Sequence, residues 1–455
     1  MIQASAQAGS QTNKHTIMLM TRPMQSRQTM SLLGCTKSGF MFCVGLCLIL
    51  LAINNFNQPE DRLTIEEIKE CGFYPGELCK ALFEEKPSAL VVGKICQEAL
   101  PPPREDGAIN LQFNCSTLIN NLHFITKPLS SEEADYPLAY ILTIHKQLHM
   151  FIKLFSAIYT PQNVYCIHID KKSPKTYSQA VWRLASCFQN VFIASQQETV
   201  VYAGFSRLRA DINCMEDLVR SDVLWRHVIN LCGQDFPMKT NREIVQYLKS
   251  KWKGRNLTPG VIQPPHMRYR TQITYKEFVH MGMSYAYPTQ RGKAAPPHNI
   301  TLYFGTAYYA LTREFVEFLL TDQRAKDLLE WSKESYSPDE HYWVTLNRMK
   351  DFPGSTPDAG WEGNIRAVKW RDQEGTLHSG CSGHYVRDIC IYGLGDLRWL
   401  IDSPHLFANK FDPNLYGLVT DCLERHHRHR VLEGAEVPVE KSWYLQDEYS
   451  AEIIP

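Results

Sequence analysis

Short apolar runs alternate with amphipathic segments from about residue 135 onward, and this pattern limits the chain to a few folds. The runs are typical of strands buried on both faces, because they consist of consecutive aliphatic, aromatic and β-branched residues. Between the first two runs, the apolar side chains of residues 148–159 recur at spacings of three and four, which predicts a helix. Strands alternating with helices predict an α/β domain with a largely parallel sheet. The runs are residues 140–145, 164–169, 191–194 and 228–231.

The composition excludes several classes of protein. Hydrophobic residues make up 44% and charged residues 21% of the 455 residues, close to the averages of globular proteins. A wholly disordered, collagenous or coiled-coil chain is therefore excluded. Lys+Arg and Asp+Glu both number 48, and without a surplus of cations we expect no nucleic acid as a partner.

One long apolar run lies near the N-terminus and excludes a multi-span membrane protein. Residues 1–38 contain Lys and Arg but no acid, residues 39–53 are uncharged and mostly apolar, and the first acid is Glu60. Because basic flanks stay on the cytoplasmic side, residues 39–53 are predicted to be a single signal-anchor transmembrane helix. A cleaved signal peptide would need an unusually long charged leader, and a buried core helix would lack an amphipathic partner.

The rest of the chain has features of an oxidising, lumenal compartment. Eleven of the 14 cysteines and the glycosylation acceptors Asn114, Asn256 and Asn299 follow the apolar run. An odd number of cysteines leaves at least one thiol without an intrachain partner. The predicted regions are a cytoplasmic tail (1–38), the anchor (39–53), a stem (54–111), a folded α/β domain (112–430) and a C-terminal tail (431–455).

Acidic residues at two places are candidates for ligand contacts. Asp170 ends the second predicted strand, where ligands bind in open α/β sheets, although a turn or helix cap is the better explanation from these residues alone. Residues 336–343 place Asp339 and Glu340 among aromatic side chains. Pro338 and Ser337 suit a helix start, so capping competes with a role for one carboxylate as a general base.

Positive charge would have to come from side chains if the reaction released a diphosphate. The sequence lacks Asp-x-Asp, the pair with which many nucleotide-sugar enzymes hold a divalent cation. Arg and Lys side chains can supply such charge in general, but nothing around Lys410 in the sequence alone marks it for this role. Cys381 and Cys390 enclose Arg387, and a local disulfide suits them better than zinc, since zinc sites usually show a second close pair.

Together these segments resemble the core 2/I-branching β-1,6-N-acetylglucosaminyltransferase family, between about residues 114 and 422. The motifs occur in the family's order and nearly at its spacing. They are VYCIHID (164–170), VYAGFSRLRADINCM (201–215), INLCGQDFP (229–237), YFGTAYYALTREFV (303–316), YSPDEHYW (336–343), CSGHYVRDICIYGLGD (381–396) and LFANKFD (406–412).

The resemblance implies a type II Golgi membrane protein whose lumenal domain has a GT-A-like fold, with a mixed, mostly parallel sheet flanked by helices. It implies UDP-GlcNAc as donor, a galactose- or GalNAc-containing glycan as acceptor, inversion at the anomeric carbon, and no metal or other cofactor. A homodimer is left open. The implied roles are catalytic base for Glu340, uridine contact for Asp170, diphosphate contacts for Arg387 and Lys410, and acceptor contacts for Arg270 and Trp370.

The resemblance also implies a set of disulfides. A bridge between Cys381 and Cys390 would fix the loop that presents Arg387 to phosphate. Cys71 and Cys96 are left unassigned. The implied pairs are Cys115–Cys187, Cys166–Cys214, Cys381–Cys390 and Cys79–Cys422, with Cys232 free.

The departures from the family lie on the acceptor side. Thr258 and Met267 stand where core 2 enzymes carry a glutamate and a lysine, and Asp372 replaces a tyrosine. Two alternatives to a GlcNAc transferase therefore stay open. One is a catalytically silent, glycan-binding member of the family, and the other is a transferase with another donor, such as UDP-xylose.

Overall fold

The structure is a computed structural model that describes residues 75–99 and 114–440. The chain divides into two compact units, residues 1–62 and 63–455, and every described residue belongs to the second. The predicted cytoplasmic tail and anchor, as well as Cys71, lie outside the described residues. Among the residues that are described, no helix is both long and apolar enough to cross a membrane.

The described residues form a mixed α/β domain. The strands are β1 (Leu138–Ile144), β2 (Val164–Ile169), β3 (Val191–Ile193), β4 (His227–Cys232), β5 (Asp235–Pro237), β6 (Gly260–Ile262), β7 (Ile273–His280), β8 (Met283–Gly292), β9 (Tyr303–Gly305), β10 (Ala310–Thr312), β11 (Arg366–Ala367), β12 (His384–Val386), β13 (Ile389–Ile391) and β14 (Phe407–Asn409). The α-helices are α1 (Pro75–Phe83), α2 (Pro87–Ala99), α3 (Cys115–Asn121), α4 (Ser131–Ala134), α5 (Leu148–Ile158), α6 (Lys175–Ser186), α7 (Phe205–Leu218), α8 (Asn241–Ser250), α9 (Tyr269–Gln272), α10 (Arg313–Thr321), α11 (Gln323–Ser332), α12 (Tyr342–Asn347), α13 (Leu397–Asp402) and α14 (Pro413–Glu433).

The central sheet has five strands in the order β10-β4-β1-β2-β3. β1 is parallel to both β2 and β4, β2 is parallel to β3, and β10 is antiparallel to β4. The predicted α/β domain with a mostly parallel sheet is therefore confirmed. Each of the predicted apolar runs lies in one of these strands, within a residue or two at the ends.

Both faces of the sheet are buried. Successive side chains of β1 point in opposite directions, and each set lies in a different buried cluster. Tyr140, Leu142 and Ile144 join the core cluster that contains α5, α6 and α8. Ala139 and Ile141 join the cluster that contains α7, α10 and α11. The continuous apolar character of β1 thus reflects helices on both sides.

A smaller sheet in the order β11-β14-β5 lies beside the main one. β14 is parallel to β11 and antiparallel to β5. Two hairpins, β7–β8 and β12–β13, extend from the domain. The second hairpin and the end of β14 carry the predicted cations.

Residues 75–99, which lie within the predicted stem (54–111), form two helices that contribute to a buried cluster. Helices α1 and α2 pack on α13 and α14, and Leu78, Leu82 and Leu418 are buried there together. The last described helix continues past residue 430, after which the C-terminal tail was predicted to begin. Helix α14 continues to Glu433, and Glu436 N donates a hydrogen bond to Leu129 O at 2.8 Å.

The implied disulfide pairs are present in the structure. Cys79 of α1 is bonded to Cys422 of α14, although 343 positions separate them in sequence. Cys96, which was unassigned, is also disulfide-bonded. Cys232 is free. The other pairs are Cys115–Cys187, Cys166–Cys214 and Cys381–Cys390.

The predicted glycosylation acceptors differ in exposure. Asn114 is exposed, and its Oδ1 caps α3 by accepting a hydrogen bond from Thr117 N at 2.8 Å. A glycan would attach to the other side-chain atom, Nδ2. Asn299 is exposed as well. Both sites have space for a sugar outside the domain.

Asn256 is completely buried, with 0% of its surface exposed. Its Nδ2 donates hydrogen bonds to Pro353 O at 2.8 Å and Asn347 Oδ1 at 3.1 Å. Its Oδ1 accepts a hydrogen bond from Thr312 N at 2.9 Å. A sugar on Nδ2 has no space in this packing, so the expectation of a glycan at Asn256 is corrected.

We therefore expect the folded, secreted protein to carry no glycan at Asn256, which mass spectrometry of its glycopeptides would check. Asn256→Gln should lower the free energy of unfolding by at least about 1–3 kcal/mol, because buried hydrogen bonds lose their partners. Asn299→Gln is the matched control at an exposed site and should change stability little. A glycan found at Asn256 in folded protein would contradict this account.

Candidate active site

The parallel strands deliver their following loops to one edge of the central sheet. Asp170 comes directly after β2 at this edge and is buried. Its Oδ1 accepts hydrogen bonds from Lys172 N at 2.9 Å and Val200 N at 3.3 Å, and its Oδ2 lies 3.2 Å from Lys172 Nζ. Asp170 therefore organises its own turn and also lies where a ligand would bind.

Glu340 lies in a 3₁₀ turn, Pro338–Glu340, just before α12. Ser337 precedes the turn with a φ of 45°, and its side chain makes no capping hydrogen bond, so the predicted N-cap is wrong. Instead, Ser337 N donates to Ala203 O at 2.8 Å, and Ala203 itself has a φ of 59°. Left-handed backbone at two non-glycine residues is costly, so surrounding contacts must hold this turn in place.

Arg270 forms an ion pair with Glu340 Oε2. Burial raises the pKa of the Glu340 carboxyl, and the positive charge of Arg270 opposes that increase. The guanidinium also lies 5.1 Å from the ring centre of Phe304 and 5.6 Å from that of Tyr336. The structure thus joins the predicted base and a predicted acceptor contact into one unit.

Asp339, the neighbouring acid, is more deeply buried than Glu340. Burial raises the pKa of Asp339 to about 7, against the lowering effect of the Arg207 charge. Arg207 itself is ion-paired with Asp211. Two carboxyl groups with different surroundings therefore lie side by side. Glu340 is the one that solvent can reach, with 30% of its side chain exposed.

Arg387 lies at the tip of the β12–β13 hairpin. Arg387 and Asp388 form its turn with φ angles of 51° and 62°. Positive φ at both central residues is the mark of a type I′ turn, whose twist matches that of the two strands. The disulfide Cys381–Cys390 crosslinks the hairpin, and the tip of the hairpin exposes Arg387 to solvent.

A buried ion pair supports the base of this hairpin. Lys369 Nζ lies 2.7 Å from Asp396 Oδ1, and both side chains are at most 3% exposed. Asp396 Oδ2 also accepts hydrogen bonds from Ser382 Oγ at 2.8 Å and Gly393 N at 2.9 Å. Since the charges are compensated and the remaining lone pairs are satisfied, the pair fixes the segments on both sides of the hairpin.

Lys410 follows β14 and is half-buried. Burial lowers the pKa of Lys410; the Cys232 thiol opposes this shift, and the positive charge of Arg387 adds to it. The two predicted cations are therefore near enough to repel each other. Two neighbouring cations favour binding of a negatively charged group.

Trp370 is attached to the same hairpin, which sequence reasoning did not anticipate. It forms a β-bridge with Ile389, and Arg371 N donates a hydrogen bond to Asp388 O at 2.9 Å. The indole is 38% exposed. Arg387 and Trp370, which are predicted to contact donor and acceptor respectively, are therefore held by one local structure.

Of the three residues that depart from the family motif, one is buried in the core and two are accessible to solvent. Thr258 is buried, and its Oγ1 accepts hydrogen bonds from Asn347 Nδ2 at 2.7 Å and Arg348 Nη1 at 3.3 Å. Its side chain supports the core, so the interpretation of Thr258 as an acceptor-facing position is wrong. Met267 is half-buried and Asp372 is exposed.

Three residues near the site were missed by sequence reasoning. Tyr202 lies against Arg387, while Lys369 and Asp396 support the hairpin. Tyr202 belongs to the motif 201–215, but a motif does not tell which of its members faces a ligand. The partners of a buried ion pair that lie far apart in sequence have no local signal at all.

Among the described residues, Cys381, Cys390 and Asp396 are the one group with metal-ligand atoms close together. The two cysteines form a disulfide and therefore supply no thiolate. Their proximity is explained by the hairpin crosslink.

Comparison with known proteins agrees with the motifs. The model of the Core-2/I-Branching enzyme family matches residues 138–401. The probable β-1,3-galactosyl-O-glycosyl-glycoprotein β-1,6-N-acetylglucosaminyltransferase 7 of Homo sapiens is 56% identical over 423 residues, which are 92% of this chain and 98% of that protein. The N-acetyllactosaminide β-1,6-N-acetylglucosaminyl-transferase of Homo sapiens is 56% identical over 334 residues, 73% of this chain and 83% of that protein.

A third relative is β-1,3-galactosyl-O-glycosyl-glycoprotein β-1,6-N-acetylglucosaminyltransferase 3 of Rattus norvegicus. It is 44% identical over 340 residues, 72% of this chain and 76% of that protein. Among solved structures, mouse xyloside xylosyltransferase 1 covers 55% of this chain and 95% of its own at 13% identity, and its TM-score of 0.28 is too low to support an argument. With the family model and these relatives in agreement, the chain belongs to the Core-2/I-branching enzyme family.

Proposed function

We propose that this protein transfers GlcNAc from UDP-GlcNAc in β-1,6 linkage to a galactose- or GalNAc-containing glycan, with inversion at the anomeric carbon. The observation that carries the proposal is the partly exposed Glu340 carboxylate, whose turn is hydrogen-bonded to the same loop, residues 200–204, that contacts Arg387. The names of the relatives, which are β-1,6-N-acetylglucosaminyltransferases, support the same activity. A GT-A-like fold, anchored in the Golgi membrane with its domain in the lumen, completes the proposal.

In the proposed reaction, Glu340 accepts the proton of a primary hydroxyl on the acceptor sugar. The hydroxyl oxygen attacks C1 of GlcNAc as the bond from C1 to the diphosphate oxygen breaks, and UDP leaves. The exposed fraction of the Glu340 side chain is 30%, which leaves one carboxylate edge for the acceptor. A positioned base of this kind typically accelerates a reaction by ~10²–10⁴-fold.

Arg387 and Lys410 compensate the charge that develops on the leaving UDP. Fixed cations in a partly desolvated site stabilise such charge strongly, because little reorganisation accompanies the reaction. The hairpin crosslink and the Lys369–Asp396 pair hold Arg387 rigidly enough for this role. We propose that these side chains take the place of a metal ion, and that Asp170 contacts the uridine.

The acceptor would lie between Glu340 and Trp370, with Arg270 beside the base. The alternative of a silent, glycan-binding protein was suggested by Thr258 and Met267. The Thr258 side chain is hydrogen-bonded within the core, so turnover in the transfer assay, and its loss in Glu340→Gln, is what separates this alternative from the proposed activity. A transferase that uses UDP-xylose is distinguished from one that uses UDP-GlcNAc by offering both nucleotide sugars to the same protein.

Replacing Glu340 tests the base. Glu340→Gln should lower kcat by ~10²–10⁴-fold while UDP binding is retained, because the amide keeps the shape but accepts no proton. The assay is transfer from labelled UDP-GlcNAc to a core 1 disaccharide and to a poly-N-acetyllactosamine acceptor, with calorimetric UDP binding beside it. Glu334→Gln is the matched control, because Glu334 also pairs with an arginine, Arg291, but is exposed. Unchanged turnover in Glu340→Gln would refute this role.

Replacing the cations tests charge compensation. Arg387→Ala and Lys410→Ala should each lower kcat/KM by ~10²-fold or more, as losses of other charge-stabilising groups do. EDTA should leave the rate of the unmodified protein unchanged. Arg398→Ala is the control, since Arg398 pairs with Asp402 at the surface. Dependence of the rate on Mn²⁺ would contradict this account.

The ion pair between Arg270 and Glu340 predicts a pH effect. Glu340 must be ionised to act, so kcat falls as the pH drops through its pKa. Because Arg270 lowers that pKa, Arg270→Met should move the acid limb of kcat to higher pH, whereas Arg270→Lys should move it less. The measurement is kcat between about pH 5 and 8 at saturating acceptor. A limb that stays in place or moves to lower pH would show that Arg270 does not set the ionisation of the base.

A further inference from the structure

The loop of residues 200–204 connects the separate parts of the candidate site. Val200 N donates to Asp170 Oδ1 at 3.3 Å. Ala203 O accepts the hydrogen bond from Ser337 N at 2.8 Å that holds the Glu340 turn. Tyr202, between these two contacts, lies under Arg387, with 4.2 Å from its ring centre to the guanidinium carbon.

Arg387 has an unusual environment for an arginine that is held in place. No salt bridge to Arg387 occurs among the described residues. Asp388, its neighbour in the turn, pairs instead with Arg371, at 3.2 Å between Asp388 Oδ1 and Arg371 Nε. The partner of Arg387 is therefore a neutral aromatic face.

The choice of partner matters for binding an anion. A carboxylate would neutralise the guanidinium and compete with a phosphate for its N–H groups. An aromatic ring attracts the cation through its quadrupole and leaves those N–H groups to the ligand. The ring of Tyr202 is 60% exposed, so it has little reason to occupy this place for core packing.

Hydrogen bonds that involve Glu277, a residue of the β7–β8 hairpin, stabilise the 200–204 loop. Glu277 Oε1 accepts hydrogen bonds from Ser206 N at 2.8 Å and Ser206 Oγ at 2.7 Å. Ser206 Oγ in turn accepts one from Val201 N at 2.8 Å. A Cβ at Gly204 would lie 2.0 Å from the same Glu277 oxygen, so the brace requires glycine there.

We propose that Tyr202 is a positioning residue that holds the Arg387 guanidinium ready for the diphosphate of the donor. The inference rests on the proposed function, because the anion is the diphosphate of UDP-GlcNAc. Tyr202 acts through Arg387 and takes no part in proton transfer. Its loss therefore affects donor binding before it affects the chemical step.

A double-mutant cycle tests the inference, with calorimetric binding of UDP and the KM for UDP-GlcNAc as readouts. Tyr202→Ala should weaken UDP binding by about 3- to 30-fold, the range expected for a cation–π contact, and raise KM more than it lowers kcat. Tyr202→Phe keeps the ring and should stay within ~2-fold of the unmodified protein. In an Arg387→Ala background, Tyr202→Ala should have almost no further effect, because the contact is already lost.

Tyr285→Ala is the matched control, because Tyr285 is a tyrosine of similar exposure, 48%, on the β7–β8 hairpin. Tyr202→Leu provides the apolar bulk without the ring if the alanine variant folds poorly, as judged by thermal unfolding. An equal loss in the Arg387→Ala background would overturn the inference, since the ring would then contact the donor itself. An equal loss in Tyr202→Phe would overturn it too, because the hydroxyl group would be responsible.

The same data separate the inference from the proposed function. Binding of UDP by the unmodified protein, and weaker but measurable binding in Arg387→Ala, support the function whatever Tyr202 does. Additive effects in the cycle then reject only the role of Tyr202. A protein that binds neither UDP nor UDP-GlcNAc rejects both proposals.

Discussion

Parallel pairing of β1 with β2 and β4 decides where the functional side chains lie. Parallel strands end at the same edge of a sheet, so the loops that follow them converge there. Asp170 leaves β2 at this edge, and the loop that leads into α7 carries Tyr202 to it. The helices on both faces bury the sheet and hold its strands in place. The ends of the strands therefore fix where the following loops begin, although the loops themselves contain little regular structure.

The elements that the sequence predicted well are those with a local physical signal. Buried strands produce continuous apolar runs, and four of them were located nearly to their ends. Ser337 shows where local rules fail, since a serine before a proline suits a helix cap, yet a backbone hydrogen bond to Ala203 holds it in a left-handed conformation. Thr258 shows that local rules also fail to tell which side chains face a site. Its side chain is held in the core by hydrogen bonds from Asn347 and Arg348, about ninety positions away.

The candidate site combines rigid supports with exposed reactive ends. Lys369 and Asp396 form a buried pair whose separation would leave an uncompensated charge, at a cost of about 3–5 kcal/mol. That cost keeps the base of the hairpin in one arrangement. At its tip, Arg387 is left without a carboxylate among the described residues, and its charge is therefore available to a ligand. Support and function thus lie at opposite ends of one short hairpin.

The bond between Cys79 and Cys422 changes what cleavage of the chain does. It joins α1 to α14 across nearly the whole folded domain. A protease that cuts between residues 99 and 114 breaks the backbone but leaves both fragments in one covalent molecule. Separating the two fragments after such a cut requires reduction of this bond as well. The bridge therefore keeps α1 covalently joined to α14 after the backbone between them has been cut.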